Sequence, residues 1–369
     1  MRTLTIDLDA IAHNYRLMQS RTDALILPVI KANAYGHGMV EVARVLEAAG
    51  CGGFAVADVA EALELRDAGI TAAVLAWLHD PEDDFVEAVK RDVDLGIANV
   101  AQLAKALSAA ETSGEIAHLH LKVDTGLGRN GSTEAEWETL LEATKKAVAT
   151  TRVQVIGIFS HLSSTGEKED RDQIERFKAA LETAKRLGVD YELAHLTASD
   201  GSLSYPDSHF DMIRVGIAMY GLDPFSAHRA NEYGFKPAMT ASAKVVQTKR
   251  VPAGQGVSYG YLHTTERETT LALVPVGYAE GLPRNATGKA VVSINGKNYK
   301  ILSRIAMDQF VLDVGDDNVQ VGDNVIFFGD PAKGHPSVDD LADAADTINY
   351  EIVTRMGGRF KRVYVGGAK

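Results

Sequence analysis

Eight short β-type runs, separated by stretches of helical periodicity, fill the first 220 residues and leave few folds open. They are ALILPVIKA (24–32), GGFAVAD (52–58), AAVLAWL (72–78), VDLGIAN (93–99), HLHLKVD (118–124), VQVIGIFSH (153–161), YELAHLTAS (191–199) and MIRVGIAMYG (212–221). Between them, QIERFKAALETAKRLG puts Ile174, Phe177, Leu181 and Ala184 on one helical face, and Gly188 is a C-terminal stop. Strand and helix alternating eight times predicts a parallel sheet closed into a (β/α)8 barrel. An open doubly wound sheet is the alternative, but the runs stop at eight and no G-x-G-x-x-G follows the first. The earlier run TLTIDL (3–8) has no barrel slot.

After residue 235 the texture changes to Val/Ile/Thr-rich runs such as TLALVPVGY, KAVVSINGKNYKIL, QFVLDVG and DNVIFF. Asn295-Gly296 predicts a hairpin, and Ser337 with Asp340 three residues on predicts a capped helix. The expectation is a barrel domain at 1–235 and a mostly β domain at 236–369, divided near GFKPAMT, with 3–8 open to assignment to the second. The net charge of −12 argues against nucleic-acid or anionic-membrane partners. A single cysteine, Cys51, allows no internal disulfide. The opening MRTLTIDLDAIAHNY lacks a secretory h-region and no run is long enough to span a membrane, so a cytoplasmic location is expected.

Barrel enzymes take their catalytic groups from the carboxyl ends of the strands. Here those ends carry Lys31 followed by Tyr35, Lys122 and Asp124 followed by Arg129, then His161, Ser199, and Arg214 followed by Gly216. Alternation in HLHLKVD places His118, His120, Lys122 and Asp124 on the inner face, with the two histidines, early in the run, read as core residues rather than ligands. Arg214, between Ile213 and Val215, points inward and must meet acceptors. Ser199 reads equally as a helix cap or a phosphate contact. Backbone N–H groups near Gly216 and Ile217, with the Ser199 hydroxyl, form a candidate phosphate corner. An amine opposite a guanidinium, beside such a corner, is the arrangement that holds pyridoxal 5′-phosphate. An arginine at the pyridine nitrogen leaves the ring a weaker electron sink, suited to brief deprotonation and reprotonation at Cα.

VIKANAYGHG, LKVDTGLGRNG, FSHLSST, MIRVGIAMYG, GVSYGYLHTT, VPVGYAEG, RIAMDQ and INYEIVTRMG, in that order across nearly the whole chain, resemble the alanine racemase family of fold-type III pyridoxal-phosphate enzymes. The resemblance implies interconversion of L- and D-alanine by two bases, supplying D-alanine for peptidoglycan. It makes Lys31 the cofactor-attachment lysine and one base, and Tyr259 the other. It gives Arg129 the substrate carboxylate, Arg214 the pyridine nitrogen, and His161 a hydrogen bond to that arginine. Tyr35, Ser199, Gly216, Ile217 and Tyr350 match phosphate positions, and Tyr278, Met307 and Asp308 a substrate-side wall. Lys122 matches a lysine often N-carboxylated in the family. The resemblance also implies a head-to-tail homodimer with shared active sites, and no metal. Departures are Ala198 before Ser199, Ala306 before the Met-Asp pair, and Glu280 in GYAEG. The rivals are a broad-specificity or serine racemase, a decarboxylase of the same fold, a non-catalytic cofactor-binding barrel, and a metallohydrolase using His118, His120 and a carboxylated Lys122.

Overall fold

The computed structural model describes residues 1–150, 152–225 and 230–367, and the chain divides into two compact units. One comprises Tyr15–Ala34 and Met39–Gly216; the other comprises Met1–Asn14, Tyr35–Gly38 and the chain from Ile217 onward.

Strand β1 (Arg2–Asp7) belongs to the second unit. The eight that follow build the first: β2 (Leu25–Pro28), β3 (Gly53–Val56), β4 (Ala73–Ala76), β5 (Val93–Ile97), β6 (Ala117–Lys122), β7 (Val153–Phe159), β8 (Leu193–His195) and β9 (Met212–Val215). They lie parallel in the order β2-β9-β8-β7-β6-β5-β4-β3. A bridge from Val29 to Ala55, with Ile30 N donating to Ala55 O at 2.9 Å, closes the ring. The strands are short and mostly buried, as a parallel sheet covered by helices requires: every residue of β3 and β5 is buried. Around the barrel the helix Glu167–Leu187 buries Ile174, Phe177 and Ala184, carries acids in its first turn and Lys185 and Arg186 in its last, and ends at left-handed Gly188.

The second unit is mostly β. Its main sheet has the order β16-β15-β18-β10-β1-β19, from β10 (Met239–Lys244), β15 (Val291–Ile294), β16 (Lys297–Lys300), β18 (Asn324–Phe328) and β19 (Lys361–Val365). β1 therefore pairs antiparallel with β10 and parallel with β19, which gives the run at 3–8 its place. A smaller sheet joins β11 (Gln247–Val251), β14 (Thr269–Val274) and β17 (Phe310–Gly315), and β12 (Gly256–Val257) pairs with β13 (His263–Thr264). Asn295 and Gly296, at φ 51° and 79°, make the tight β15–β16 turn that the sequence predicts. Ser337 Oγ accepts from Asp340 N at 2.9 Å while Asp340 returns a bond to Ser337 N, closing the expected capping box.

Asn14 ties this unit together. Fully buried, its Nδ2 donates to Met219 O (3.0 Å) and Lys236 O (2.9 Å), and its Oδ1 accepts from Lys236 N (2.9 Å). Replacing it by leucine strands three backbone groups. Asn14→Leu is expected to lower unfolding stability by about 3 kcal/mol, at roughly 1 kcal/mol per lost bond. Urea unfolding followed by circular dichroism reads this, and a change within error would deny Asn14 that role.

Candidate active site

Lys31 stands three residues beyond the end of β2, where the chain makes an unusual turn. Ala32, Asn33, Ala34 and Tyr35 all have φ between 52° and 55°, a left-handed helical turn made without glycine. Such residues each cost roughly 1–2 kcal/mol, so neighbours must hold them. Glu61 does so with both oxygens, accepting from Ala32 N (2.6 Å) and Ala57 N (2.8 Å). Asn33 Oδ1 accepts from Met39 N at 2.8 Å, and Ala34 N donates to Ile30 O at 2.7 Å. The lysine is thus presented by a rigid corner rather than by the strand end the sequence suggests. Its Nζ lies 6.0 Å from the centre of the Trp77 ring.

Arg214, on β9, is buried, and among the described residues no carboxylate forms an ion pair with it, although the charge of Asp200 acts on it. Its Nη1 donates to His195 Nδ1 (3.0 Å), and its Nη2 reaches Ser160 O (2.7 Å), Leu196 O (2.8 Å) and His161 Nδ1 (3.1 Å). The Nε–H is left without an acceptor among the described residues. Phe159 stacks parallel on His195 at 4.8 Å, with the Arg214 guanidinium 5.6 Å and the Lys122 amine 5.3 Å from its centre. The expected His161–Arg214 contact is present.

Four cations, Lys31, Lys122, Arg129 and Arg214, act on one another here. Burial, then the charges of Arg129 and Arg214, lower the Lys31 pKa against partial opposition from Glu61. Lys122 falls to about 7 through burial and the charges of Arg214, Arg129 and Lys31, which Asp124 only partly offsets. Burial, then Arg129, bring Arg214 down to about 9 against the charge of Asp200, still protonated at neutral pH. Burial and the same cations keep His161 neutral. Arg129 follows the turn in which Asp124 Oδ1 accepts from Gly126 N (2.9 Å) and Gly128 N (3.2 Å). Ser199 does not cap its helix; its Oγ accepts from Gly216 N at 3.1 Å, joining the ends of two barrel strands at the candidate phosphate corner.

The remaining candidates lie in the other unit. Tyr35 packs against Tyr220 (5.0 Å) and Tyr350 (6.1 Å between ring centres), and Ile217 opens a buried 3-10 turn. Tyr278 N and Ala279 N donate to Ala306 O (3.1 Å) and Met307 O (2.9 Å), pinning two loops together. A Cβ on Gly277 would come within 2.1 Å of Ala306 O, so only glycine fits there. Asp308 pairs with Arg359, which also meets buried Glu280, so Glu280 has a structural partner. Tyr259 is 70% exposed, its loop fixed by Arg304 Nε donating to Tyr259 O at 3.1 Å.

Among the described residues, the side chains able to share an ion are Asp92, Asp94 and His118. His195 escaped the sequence reading, although the period of two places it on the same face as Ser199, four residues on.

Lys122 yields a signed pH prediction. Between pH of about 7 and 10.5 the unfolded chain keeps a proton that folded Lys122 has lost, so this group makes stability rise with pH across that window. In CO2-free buffer the urea midpoint of the native chain should rise from pH 7 to pH 9 relative to that of Lys122→Met. Parallel behaviour would place the amine in an ordinary, solvated setting.

Comparison with known proteins now bears on this geometry. The family model described as alanine racemase, N-terminal domain, matches residues 6–224, and that for the C-terminal domain matches 238–364. Alanine racemase of Salinispora arenicola is 45% identical over 365 residues, 98% of this chain and 97% of its own. That of Thermobifida fusca is 45% identical over 368 residues, covering 99% and 98%. The crystal structure of alanine racemase from Streptomyces lavendulae matches with a TM-score of 0.97 at 43% identity, covering 100% of this chain and 97% of that one. A closed eight-stranded barrel with a lysine and an arginine at its mouth, joined to a mostly β unit and matched over its whole length, places this chain in the alanine racemase family.

Proposed function

We propose that the chain interconverts L- and D-alanine with pyridoxal 5′-phosphate as its cofactor, in a homodimer whose active sites are shared. The observation that carries this reading is the depressed Lys31 amine within a cluster of cations that includes a guanidinium whose Nε–H has no acceptor among the described residues. A lowered amine is a nucleophile toward an aldehyde, and the cluster suits a phosphate and a substrate carboxylate. Among the described residues no helix is long and apolar enough to cross a membrane. A cytoplasmic location is part of the same proposal.

Bound through Lys31, the cofactor would supply the electron sink that acidifies the substrate Cα–H. The chain's own groups do the rest. Arg214 offers its Nε–H to the pyridine nitrogen and, remaining protonated, gives up no proton to the ring. Arg129 binds the substrate carboxylate. Ser199, Gly216, Ile217, Tyr35 and Tyr350 hold the phosphate. The Lys31 amine and the Tyr259 phenol work on opposite faces of Cα, one removing a proton and the other delivering one, because inversion requires both faces. Tyr278, Met307 and Asp308 bound the space for the alanine methyl. Partial neutrality of Lys122 near pH 7 is what addition of CO2 to its amine requires, and the resulting anion would orient Arg129.

Exposure of Tyr259, Tyr261 (69%), Leu262 (55%) and Met307 (53%) supports a partner covering this surface. The purified enzyme should be yellow, and borohydride should fix the chromophore on Lys31. In deuterated water L-alanine should exchange its α-hydrogen and yield D-alanine, while Lys31→Ala and Tyr259→Phe should each lose at least a hundredfold in rate. A colourless protein, or release of CO2, rejects the racemase reading. Mixed after reversible dissociation, the two inactive variants should recover up to about a quarter of native activity, since half the dimers would carry one intact site. No recovery would mean that Lys31 and Tyr259 act from one chain.

A further inference from the structure

We propose that Asp94 and His120 are positioning residues for Arg214, acting through His195 along a hydrogen-bonded relay inside the barrel. The proposal rests on the reading that Arg214 serves the pyridine nitrogen.

The direction of every proton in this relay follows from its inner end. A guanidinium has only donors, so His195 Nδ1, 3.0 Å from Arg214 Nη1, must accept. The His195 proton is then on Nε2, which lies 2.9 Å from His120 Nδ1 and donates to it. His120 in turn carries its proton on Nε2, 3.3 Å from Asp94 Oδ2. A carboxylate is the one group in the row that accepts without donating, so Asp94 secures at the outer end the tautomers that Arg214 requires at the inner end. Without it, His120 could carry its proton on Nδ1, push the His195 proton onto Nδ1, and turn that nitrogen from acceptor to a donor facing Arg214.

The surroundings are built for these rings. A Cβ on Gly157 would come within 2.5 Å of His120 Nδ1, so β7 makes room for the imidazole by omitting a side chain. The β6–β7 register shifts between Leu119 and His120, beside that gap. Phe159 fixes the plane of His195 by parallel stacking. At the outer end Asp94 lines a cavity of about 540 Å³ with His120, Leu27, Phe54 and Met212. His118 Nδ1 lies 3.6 Å from Asp94 Oδ1 and 3.0 Å from Asp92 Oδ1, so an imidazole and a second carboxylate face it there. Burial holds His195 neutral, as the relay requires. A cation that bonds no carboxylate directly among the described residues is thereby linked to one two imidazoles away.

The test uses the full-length chain with ring-15N-labelled histidine, with and without added pyridoxal 5′-phosphate. In the native protein His120 and His195 should each show a single neutral Nε2–H tautomer. In Asp94→Ala both signals should move toward mixed tautomers, and kcat for alanine should fall roughly tenfold with KM within about twofold, the size usual when a group behind a ligand is lost. Asp94→Glu should restore the tautomers and most of kcat. If Asp94→Ala fails to fold, Asp94→Leu gives the same reading, since it removes the acceptor and fills the space better. Unchanged tautomers in the folded variants overturn the proposal, as does a fall in kcat that Asp94→Glu leaves unrepaired. A tautomer response in a chain that binds no cofactor and racemises nothing supports the relay and rejects the functional reading. A yellow, active enzyme whose ring signals ignore Asp94 rejects the relay alone.

Discussion

Arg214 is a permanent cation enclosed by a barrel, and the interior is arranged around that fact. An isolated buried charge costs several kcal/mol, while each hydrogen bond to a charged group returns about 1.5–3 kcal/mol. The chain uses neutral acceptors: the carbonyls of Ser160 and Leu196, just past the ends of β7 and β8, and two imidazoles. A carboxylate in direct contact would hold the guanidinium more firmly but would cancel the positive field at the mouth. Neutral acceptors take the bonds of Nη1 and Nη2, and none of them cancels the charge. Both histidines must then stay neutral, and burial together with the neighbouring cations ensures it.

That choice sets the chemistry of the neighbours. The chain as a whole carries a charge of −12, yet the groups acting on Lys31 and Lys122 are dominated by cations. Attraction of anions to the mouth and depression of both lysines are therefore one effect seen twice. The site that draws in a phosphate or a carboxylate also leaves its amines partly unprotonated, as a nucleophile and a proton acceptor need to be. Burial is the larger cause for both lysines, so the depression survives added salt better than long-range attraction does.

The barrel was legible because its signal is periodic and repeated eight times, and the mouth residues followed from asking what ends each strand. The Asn295-Gly296 turn and the Ser337 capping box were legible because each is a local rule. The relay was less so. His120 was read as a core histidine, which its burial bears out, but its partners lie at positions 94 and 195, and no local pattern joins residues 75 apart. The left-handed turn after Lys31 was hidden for a different reason. Ala, Asn, Ala and Tyr have no strong leaning toward positive φ, apart from the asparagine, and the conformation is imposed by Glu61 from another segment.

Glu61 also shows why the lysine is not simply at a strand end. Its two oxygens are spent on backbone N–H groups at Ala32 and Ala57, so it stabilises a costly corner, and its charge opposes a depression of the Lys31 pKa that burial and Arg129 chiefly cause. A carboxylate bound directly to the amine would keep Lys31 protonated and defeat a nucleophilic role. Placed one residue away, it fixes the backbone that carries the amine and leaves the amine itself to the cations. The same separation governs the barrel interior, where the carboxylate of Asp94 stands two rings from Arg214. In both places the anion sets geometry, and its hydrogen bonds go to groups other than the cation that works.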